Sequence, residues 1–380
     1  MKAKTARQLF AIHRWTGLLT GIVILFLSLT GTGLVFITEI DHALNSSIMK
    51  TKGSGPRIDP DSVIKSVKHA FPKANVSSIY LPDSPDLTYM ATTNRLTVNG
   101  KAFNEVGVDP YTGAVLGQRM HSSSLAFILR QMHLRFFYFG WKGRVVVGFF
   151  GITLLLSTIT GLFIYGRFIK ALPKWYSIRR ERGFQISTSD WHKLIGITAL
   201  VFNVLISFTG AILGLENLAR YSKPVSEAIH PAPVKGTVPK PPGNEPLITA
   251  TSAIASAREA IPGFHPTQVN VATKKRHFMV LGNIEGRTRM IGASEVGVNA
   301  ITGKPYFVSS DAKAPLVTRS YYWMDPLHFG YWGGRFSQIL YVFLGLTTGF
   351  LSVTGFIVWY LKTFRKPRRN TRRVELMEAA

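Results

Sequence analysis

The hydrophobic pattern of the chain contains four long apolar runs, at residues 17–38, 145–165, 194–215 and 339–361. Each run is close to the ~20 residues that a helix needs to cross the hydrocarbon core of a bilayer. The pattern therefore predicts four transmembrane helices, the first over 1–38 and the third over 191–215. The second and fourth, each with an interfacial segment ahead of it, lie within 125–166 and 321–363, and a tail follows at 364–380. The first is expected to be a retained anchor, because its apolar stretch is too long for a signal peptide and no small-residue cleavage site follows it.

The two long segments between the runs, residues 39–124 and 216–320, have a different pattern. Each begins with a helical stretch, the first capped by Asp61 and ending at Phe71, the second covering 250–260. Short alternating runs follow, with turn residues such as Asn99-Gly100 between them, which is typical of antiparallel strands. The strands are predicted near 79–81, 87–91, 96–98 and 105–116, and near 268–272, 277–281, 288–291, 295–298 and 305–308. We therefore predict two α+β domains, the second preceded by a Pro/Gly-rich linker at 231–246.

Composition supports a membrane protein. Only 17% of the residues are charged, although the net charge is +25. A soluble domain is roughly 25% charged. Because the chain has no cysteine, disulfides and thiolate metal sites are excluded, and any metal must bind to histidine, methionine or oxygen ligands.

The basic residues predict the topology. Lysine and arginine are roughly three times as dense in residues 1–14, 167–193 and 362–380 as in the two long segments, and the positive-inside rule assigns the denser flanks to the cytoplasm. Both termini and the loop at 167–190 are then cytoplasmic, and both α+β domains are periplasmic. Because the basic clusters flank spans and no nucleic-acid motif accompanies them, we do not expect nucleic acid as a partner.

The chain also repeats itself. His13 and His192 each open a His-x-x-x-Gly stretch at the start of spans one and three, and Thr30-Gly31 and Thr209-Gly210 follow at the same offset. His133 and His328 precede spans two and four, which contain Thr160-Gly161 and Thr354-Gly355. Since both halves begin and end on the same side, this two-fold repeat predicts a pseudo-two-fold axis along the membrane normal.

The arrangement of paired spans around α+β domains resembles the PepSY-associated transmembrane family. Within that family, the four-span form is similar to inner-membrane ferric-siderophore reductases of the ferrioxamine type. The resemblance implies PepSY-like domains, two haems and electron transfer to a ferric siderophore in the bacterial inner membrane. One departure from symmetry is that Arg144 follows His133 at a longer spacing than Arg335 follows His328.

The four repeated histidines are the candidate ligands independently of the family. Ionisable residues at membrane depth are costly and are usually functional, and a neutral imidazole is an axial ligand of haem iron. Histidines at opposite ends of a ~30 Å core cannot share an iron, so we predict that His13 pairs with His192 and His133 with His328, each pair binding one haem b. The alternative is that they are interfacial residues on helix ends.

Neighbouring residues add to the predicted sites. Glycines lie at matching depth beside each site, where they leave room for a flat macrocycle or for a close helix contact. Arg144 and Arg335 are candidates for bidentate bonds to haem propionates, although arginines at the interface need no such ligand.

We therefore expect a haem-dependent ferric-siderophore reductase. Electrons would come from a quinol or a separate cytoplasmic reductase, since the cytoplasmic segments carry no flavin or dinucleotide fingerprint. The acceptor would be periplasmic ferric siderophore, released as ferrous iron, with membrane lipid as the remaining partner. Two alternatives are a siderophore- or peptide-binding transport protein of the inner membrane, and a regulatory PepSY inhibitor anchored by inert helices.

Overall fold

The computed structural model describes residues 3–137, 140–169, 177–219, 224, 234–235, 247–271, 277–285, 294–310 and 314–364. The helices are α1 (Ala3–Leu34), α2 (Ile37–Leu44), α3 (Ser46–Met49), α4 (Pro60–Ala70), α5 (Leu125–Arg135), α6 (Gly140–Ile169), α7 (Phe184–Thr198), α8 (Leu200–Ala219), α9 (Ala250–Ala260), α10 (Leu316–Tyr322), α11 (Met324–Phe329) and α12 (Gly334–Phe364). The strands are β1 (Val76–Tyr80), β2 (Tyr89–Val98), β3 (Lys101–Val108), β4 (Val115–Arg119), β5 (Val234–Lys235), β6 (Phe264–Asn270), β7 (His277–Ile284), β8 (Ser294–Asn299) and β9 (Pro305–Ser309).

Three of the described helices are long and apolar enough to cross a membrane: α1, α6 over Gly140–Tyr165, and α12. A fourth span exists if α7 and α8 are counted as one, since the pair passes the same criterion but bends by 67° where they join. Large apolar side chains on these helices face outward, for example Leu19 at 74% and Ile22 at 78% exposure. This outward apolar surface confirms the prediction of a membrane protein.

The helices around the first and third apolar runs are longer than the runs themselves. The first helix begins at Ala3, inside the predicted segment 1–38, and α7 begins at Phe184, within the predicted loop at 167–190. His13 and His192 therefore lie inside α1 and α7. The reason is that a helix continues through polar turns as long as no proline or glycine interrupts it, whereas hydropathy marks only its apolar part.

The chain divides into two compact units. The first comprises residues 1–29, 150–208 and 343–380, and the second comprises 30–149 and 209–342. The first unit contains parts of the long helices. The second contains the whole sheet and the shorter helices around it.

The strands form one antiparallel sheet in the order β4-β3-β2-β1-β6-β7-β8-β9-β5. Strand β1 pairs with β2 on one side and with β6 on the other, where Ile79 lies opposite Val269. Helices α4 and α9 contribute Val63 and Ala253 to the same buried core as these strands. The strands of both predicted domains are therefore joined edge to edge, and this pairing covers one edge of each.

The prediction that Asp61 caps its own helix is wrong. Asp59 is the N-cap of α4, its carboxylate accepting the Ser62 N–H at 2.9 Å. Proline at position 60 is suited to the first helical turn, since it lacks an N–H that would be unpaired there. Asp61 instead accepts the backbone N–H groups of Ala250 and Thr251, at 2.8 and 2.9 Å, and so caps α9.

The predicted turns are where the sequence indicates. Asn99 and Gly100 both have positive φ, 49° and 74°, in the tight hairpin between β2 and β3. The run predicted as one strand over 105–116 is two strands, because Asp109 accepts the N–H groups of Tyr111 and Thr112, each at 2.9 Å, and turns the chain.

The predicted strand at 288–291, the tail at 365–380 and the linker at 231–246, apart from β5, lie outside the described residues.

Candidate functional site

The first unit brings His13 of α1 beside His192 of α7. Their ring centroids are 6.3 Å apart, and the ring planes are inclined at 75°. Gly161 and Gly355 lie against these rings: a β-carbon built on either glycine would be 3.0 Å from Cε1 of His13 or 3.3 Å from Cε1 of His192. Each imidazole thus packs on a helix backbone that lacks a side chain at that point.

Hydrogen bonds show which nitrogen of each ring in this pair carries the proton. Nδ1 of His13 lies 2.8 Å from the main-chain oxygen of Ser157, which only accepts, so Nδ1 carries the proton. Nδ1 of His192 lies 2.9 Å from Oγ1 of Thr354. The Thr354 hydroxyl donates its own hydrogen to the Phe350 carbonyl at 2.8 Å, so it accepts from His192. Nε2 is therefore the lone-pair nitrogen of both neutral rings.

The second unit brings His133 of α5 beside His328 of α11 in the same way. Their ring centroids are also 6.3 Å apart, with the planes inclined at 46°. Nδ1 of His133 lies 3.0 Å from Oγ1 of Thr30, and Nδ1 of His328 lies 2.9 Å from Oγ1 of Thr209.

The glycines that follow these threonines touch the same two rings. A β-carbon on Gly31 would lie 2.8 Å from Cε1 of His133, and one on Gly210 would lie 3.0 Å from Cε1 of His328. The Thr-Gly dipeptide therefore performs two functions at once: the threonine bonds the ring, and the glycine leaves space for it.

The separation within each pair can be compared with that of two imidazoles bound to one metal ion. With metal–nitrogen bonds of about 2 Å and an imidazole ring radius of about 1.1 Å, two imidazoles on opposite sides of one ion have centroids about 6 Å apart. Both pairs have this separation. Two neutral imidazoles are also a donor set that haem iron accepts, so the residues present fit a haem at each pair.

Each predicted arginine has an acidic residue near it. Arg335 forms an ion pair with Glu39, and its guanidinium lies 5.6 Å from the centre of the Phe36 ring. Arg144 is close enough to Asp325 to act on its pKa. Both arginines therefore have carboxylate neighbours in the protein itself.

Asp325 is a group that the sequence did not single out. Burial raises the pKa of this carboxyl to about 6, the charge of Glu216 acts in the same direction, and the charge of Arg144 opposes it. The pKa of Tyr321 is raised as well, chiefly by burial and by Glu216. No sequence signal points to this cluster, because its members come from four separate helices.

A second unforeseen cluster surrounds Arg119. Its guanidinium donates to both carboxylate oxygens of Asp41, each at 2.9 Å, and to Glu105 at 2.7 Å. Nδ1 of His121 lies 2.7 Å from the other oxygen of Glu105. Burial of Glu105 acts to raise its pKa, but the His121 hydrogen bond and the Arg119 charge outweigh burial and hold the pKa below its usual range.

Comparison with known proteins agrees with this architecture. The sequence matches the PepSY-associated TM region over residues 10–362. The chain therefore belongs to the PepSY-associated transmembrane family. It is also similar to an uncharacterized protein of Pseudomonas aeruginosa, with 28% identity over 267 residues. That match covers 64% of this chain and 66% of the relative, slightly less than two thirds of its length.

Proposed function

We propose that this protein is a di-haem b oxidoreductase of the bacterial inner membrane that passes electrons to periplasmic ferric siderophore. The observation that carries the proposal is the presence of two histidine pairs, each with ring centroids 6.3 Å apart. A single contact of this kind would be consistent with ordinary helix packing. Two histidine pairs with the same separation, each with its Nδ1 atoms hydrogen-bonded and with glycines against its rings, favour binding of the same kind of cofactor at both.

The residues that would hold the cofactors are the four histidines. Ser157 and Thr354 orient the rings of the His13–His192 pair, while Thr30 and Thr209 orient those of the His133–His328 pair. The glycines keep the β-carbon position free beside each ring. When bound, a haem would supply one-electron transfer at its iron.

The proposed topology follows from the distribution of lysine and arginine residues beside the spans. With the dense basic flanks in the cytoplasm, the His13–His192 pair lies on the side that receives electrons from a quinol or a separate reductase. The α7–α8 pair then counts as one bent span, which gives four spans and the two-fold repeat. The sheet is periplasmic in this arrangement.

The substrate is proposed to react near the His133–His328 pair, which belongs to the same unit as the sheet. Siderophores bind ferric iron through hard oxygen donors, and ferrous iron is a softer ion for which such donors are less suitable. One-electron reduction therefore weakens the chelate and releases the metal. This requires no covalent chemistry from the protein.

A transport function is the second candidate, and the bend between α7 and α8 favours it, because broken helices are typical of transporters. Two polar residues at the bend, Asn203 and Thr348, are uncharged: Asn203 donates to the Ala199 carbonyl at 3.0 Å and accepts from Thr348 at 2.7 Å. Transporter sites usually place ionisable groups at this depth. Siderophore uptake into vesicles containing the protein, measured without any electron donor, separates the two functions.

The direct test of the proposal is haem content. Protein purified in detergent from haem-replete cells should contain about two haem b per chain and show low-spin spectra. Replacing either member of one pair by alanine should remove the same single haem. The control is His265→Ala, since this side chain is 64% exposed and belongs to neither pair. Folded protein without haem would refute the proposal, as would a bound bare metal ion in place of haem.

A further inference from the structure

The four histidines do not obtain their Nδ1 partners in the same way. Three rings are held by threonine side chains, whereas the fourth is held by the main chain: His13 contacts the Ser157 carbonyl at 2.8 Å, while the Ser157 hydroxyl lies at 3.5 Å. By sequence, Thr160 corresponds to Thr354. Both hydroxyls donate to carbonyls of their own helix, Thr160 to Leu156 and Thr354 to Phe350. The difference is the histidine: Thr354 also contacts Nδ1 of His192, whereas Nδ1 of His13 bonds the Ser157 carbonyl.

We propose that Thr354, Thr30 and Thr209 are positioning residues that select Nε2 as the ligand nitrogen and strengthen it as a donor, and that Thr160 has no such role. The inference rests on the proposed function, because it assigns the donor properties of the four histidines toward haem iron. It concerns residues that contact the imidazoles and not the reacting atoms.

The physical argument begins with the proton on Nδ1. For His192 this proton follows from the Thr354 hydroxyl, which already donates to Phe350, and the proposal assigns it to His133 and His328 at contacts of the same length. A hydrogen bond from Nδ1–H to an oxygen draws the proton away from the ring and increases the electron density on Nε2. A more basic imidazole would stabilise ferric over ferrous iron. Removing the acceptor therefore moves the midpoint potential of that haem to more positive values and weakens its retention by roughly 10–100-fold, the usual effect of losing such a partner.

The threonine bond also fixes the ring in space. His192 has its Nδ1 bonded to Thr354 and its Cε1 against Gly355, the next residue of α12. These two contacts on adjacent residues leave the ring little freedom to rotate. The same combination holds His328 between Thr209 and Gly210.

The test uses Thr354→Val, which removes the hydroxyl but keeps the shape, and Thr354→Ser, which keeps the hydroxyl. Spectroelectrochemical titration of the purified protein should show one haem with a more positive midpoint potential in Thr354→Val, the other haem unchanged, and the native value restored in Thr354→Ser. Haem retention should fall in the valine variant alone.

Three further variants make the assignment specific. Thr160→Val and Ser157→Ala should leave both potentials unchanged, because the Ser157 carbonyl remains. Thr348→Val changes the same helix as Thr354 and loses a buried hydrogen bond to Asn203. Because Thr348 forms no hydrogen bond with a histidine among the described residues, this variant measures the effect of losing a buried hydrogen bond alone.

The outcomes are distinguishable. If the protein holds two haems but Thr354→Val and Thr160→Val shift the potentials equally, or neither shifts them, the positioning role is refuted and the proposed function stands. If the protein holds no haem, both are refuted. If Thr354→Val simply fails to fold, the Thr209→Val and Thr209→Ser pair decides the question at the other haem.

Discussion

The ring of His133 packs against Gly31 so closely that a β-carbon on the glycine would lie 2.8 Å from Cε1 of the imidazole. Real β-carbons essentially never approach another atom so closely, so the absence of a side chain at Gly31 is a condition for the position of His133. The residue before it, Thr30, bonds Nδ1 of the same ring. Two adjacent residues of α1 thus set both the distance and the orientation of one candidate ligand.

This relationship gives a first prediction. Gly31→Ala should displace the His133 ring and weaken retention of one haem by roughly tenfold, while the haem of the His13–His192 pair remains. The matched control is Gly33→Ala in the same helix, where the nearest atom would be Cδ1 of Leu129 at 3.7 Å, an ordinary contact. Haem content by extraction measures both. Equal haem loss in the two variants would contradict the packing argument.

A second prediction concerns the contact between α6 and α8. A β-carbon on Gly148 would lie 2.9 Å from the carbonyl carbon of Gly214 and equally close to the amide nitrogen of Leu215. Because main-chain atoms cannot give way, Gly148→Ala should cost about 1–3 kcal/mol of stability, seen as a lower unfolding temperature in detergent. Gly21→Ala is the control, since its β-carbon would meet nothing within 4 Å. A similar loss in both would show that helix propensity, and not the close contact, is measured.

A third prediction is a pH dependence from Asp325. Burial raises its pKa to about 6, from the usual 3.8 of an aspartic acid. The folded state therefore favours the protonated form, so this stabilisation is complete below about pH 4 and is lost as the pH rises through 6. Asp325→Asn should reduce the fall in unfolding temperature between pH 4 and 7. If the unfolding temperature of the asparagine variant falls with pH as much as that of the native protein, Asp325 is not the source of the pH dependence.

A fourth prediction concerns the cluster around Arg119. Arg119→Met leaves the buried carboxylates of Asp41 and Glu105 without their cation, and breaking a buried pair in this way typically costs about 3–5 kcal/mol. The exposed pair of Lys50 and Asp86 is the control, because surface ion pairs contribute about 0–1 kcal/mol. Unfolding temperatures of Arg119→Met and Lys50→Met provide the comparison. If both variants unfold at the native temperature, the cluster contributes no stability.

Much of the fold follows from local patterns. The apolar runs marked the long helices because a bilayer-spanning segment must be apolar along its whole length. Asn99-Gly100 marked a hairpin because few residues adopt positive φ at both central positions. The ends of the helices were harder to predict, since α7 begins at Phe184, in polar turns that hydropathy does not register.

The candidate site was predicted in part. The repeat of four histidines indicated which residues would be brought together, and the structure places His13 beside His192 and His133 beside His328. The repeat did not indicate that Arg335 pairs with Glu39, which lies in the other half of the chain. A single charged residue carries no local sign of a partner so distant in sequence.

What the sequence by itself determined about this protein is its membrane character, its family, its turns and the choice of four histidines. All of these depend on local composition or on recurrence along the chain. Only the tertiary structure decided that Asp61 caps α9 and that β1 joins β6 in one sheet. It also decided that Ser157, and not Thr160, holds His13. In each case several donors and acceptors in the sequence are chemically equivalent. Packing decides between them, because the partner is the group that the fold brings within hydrogen-bonding distance.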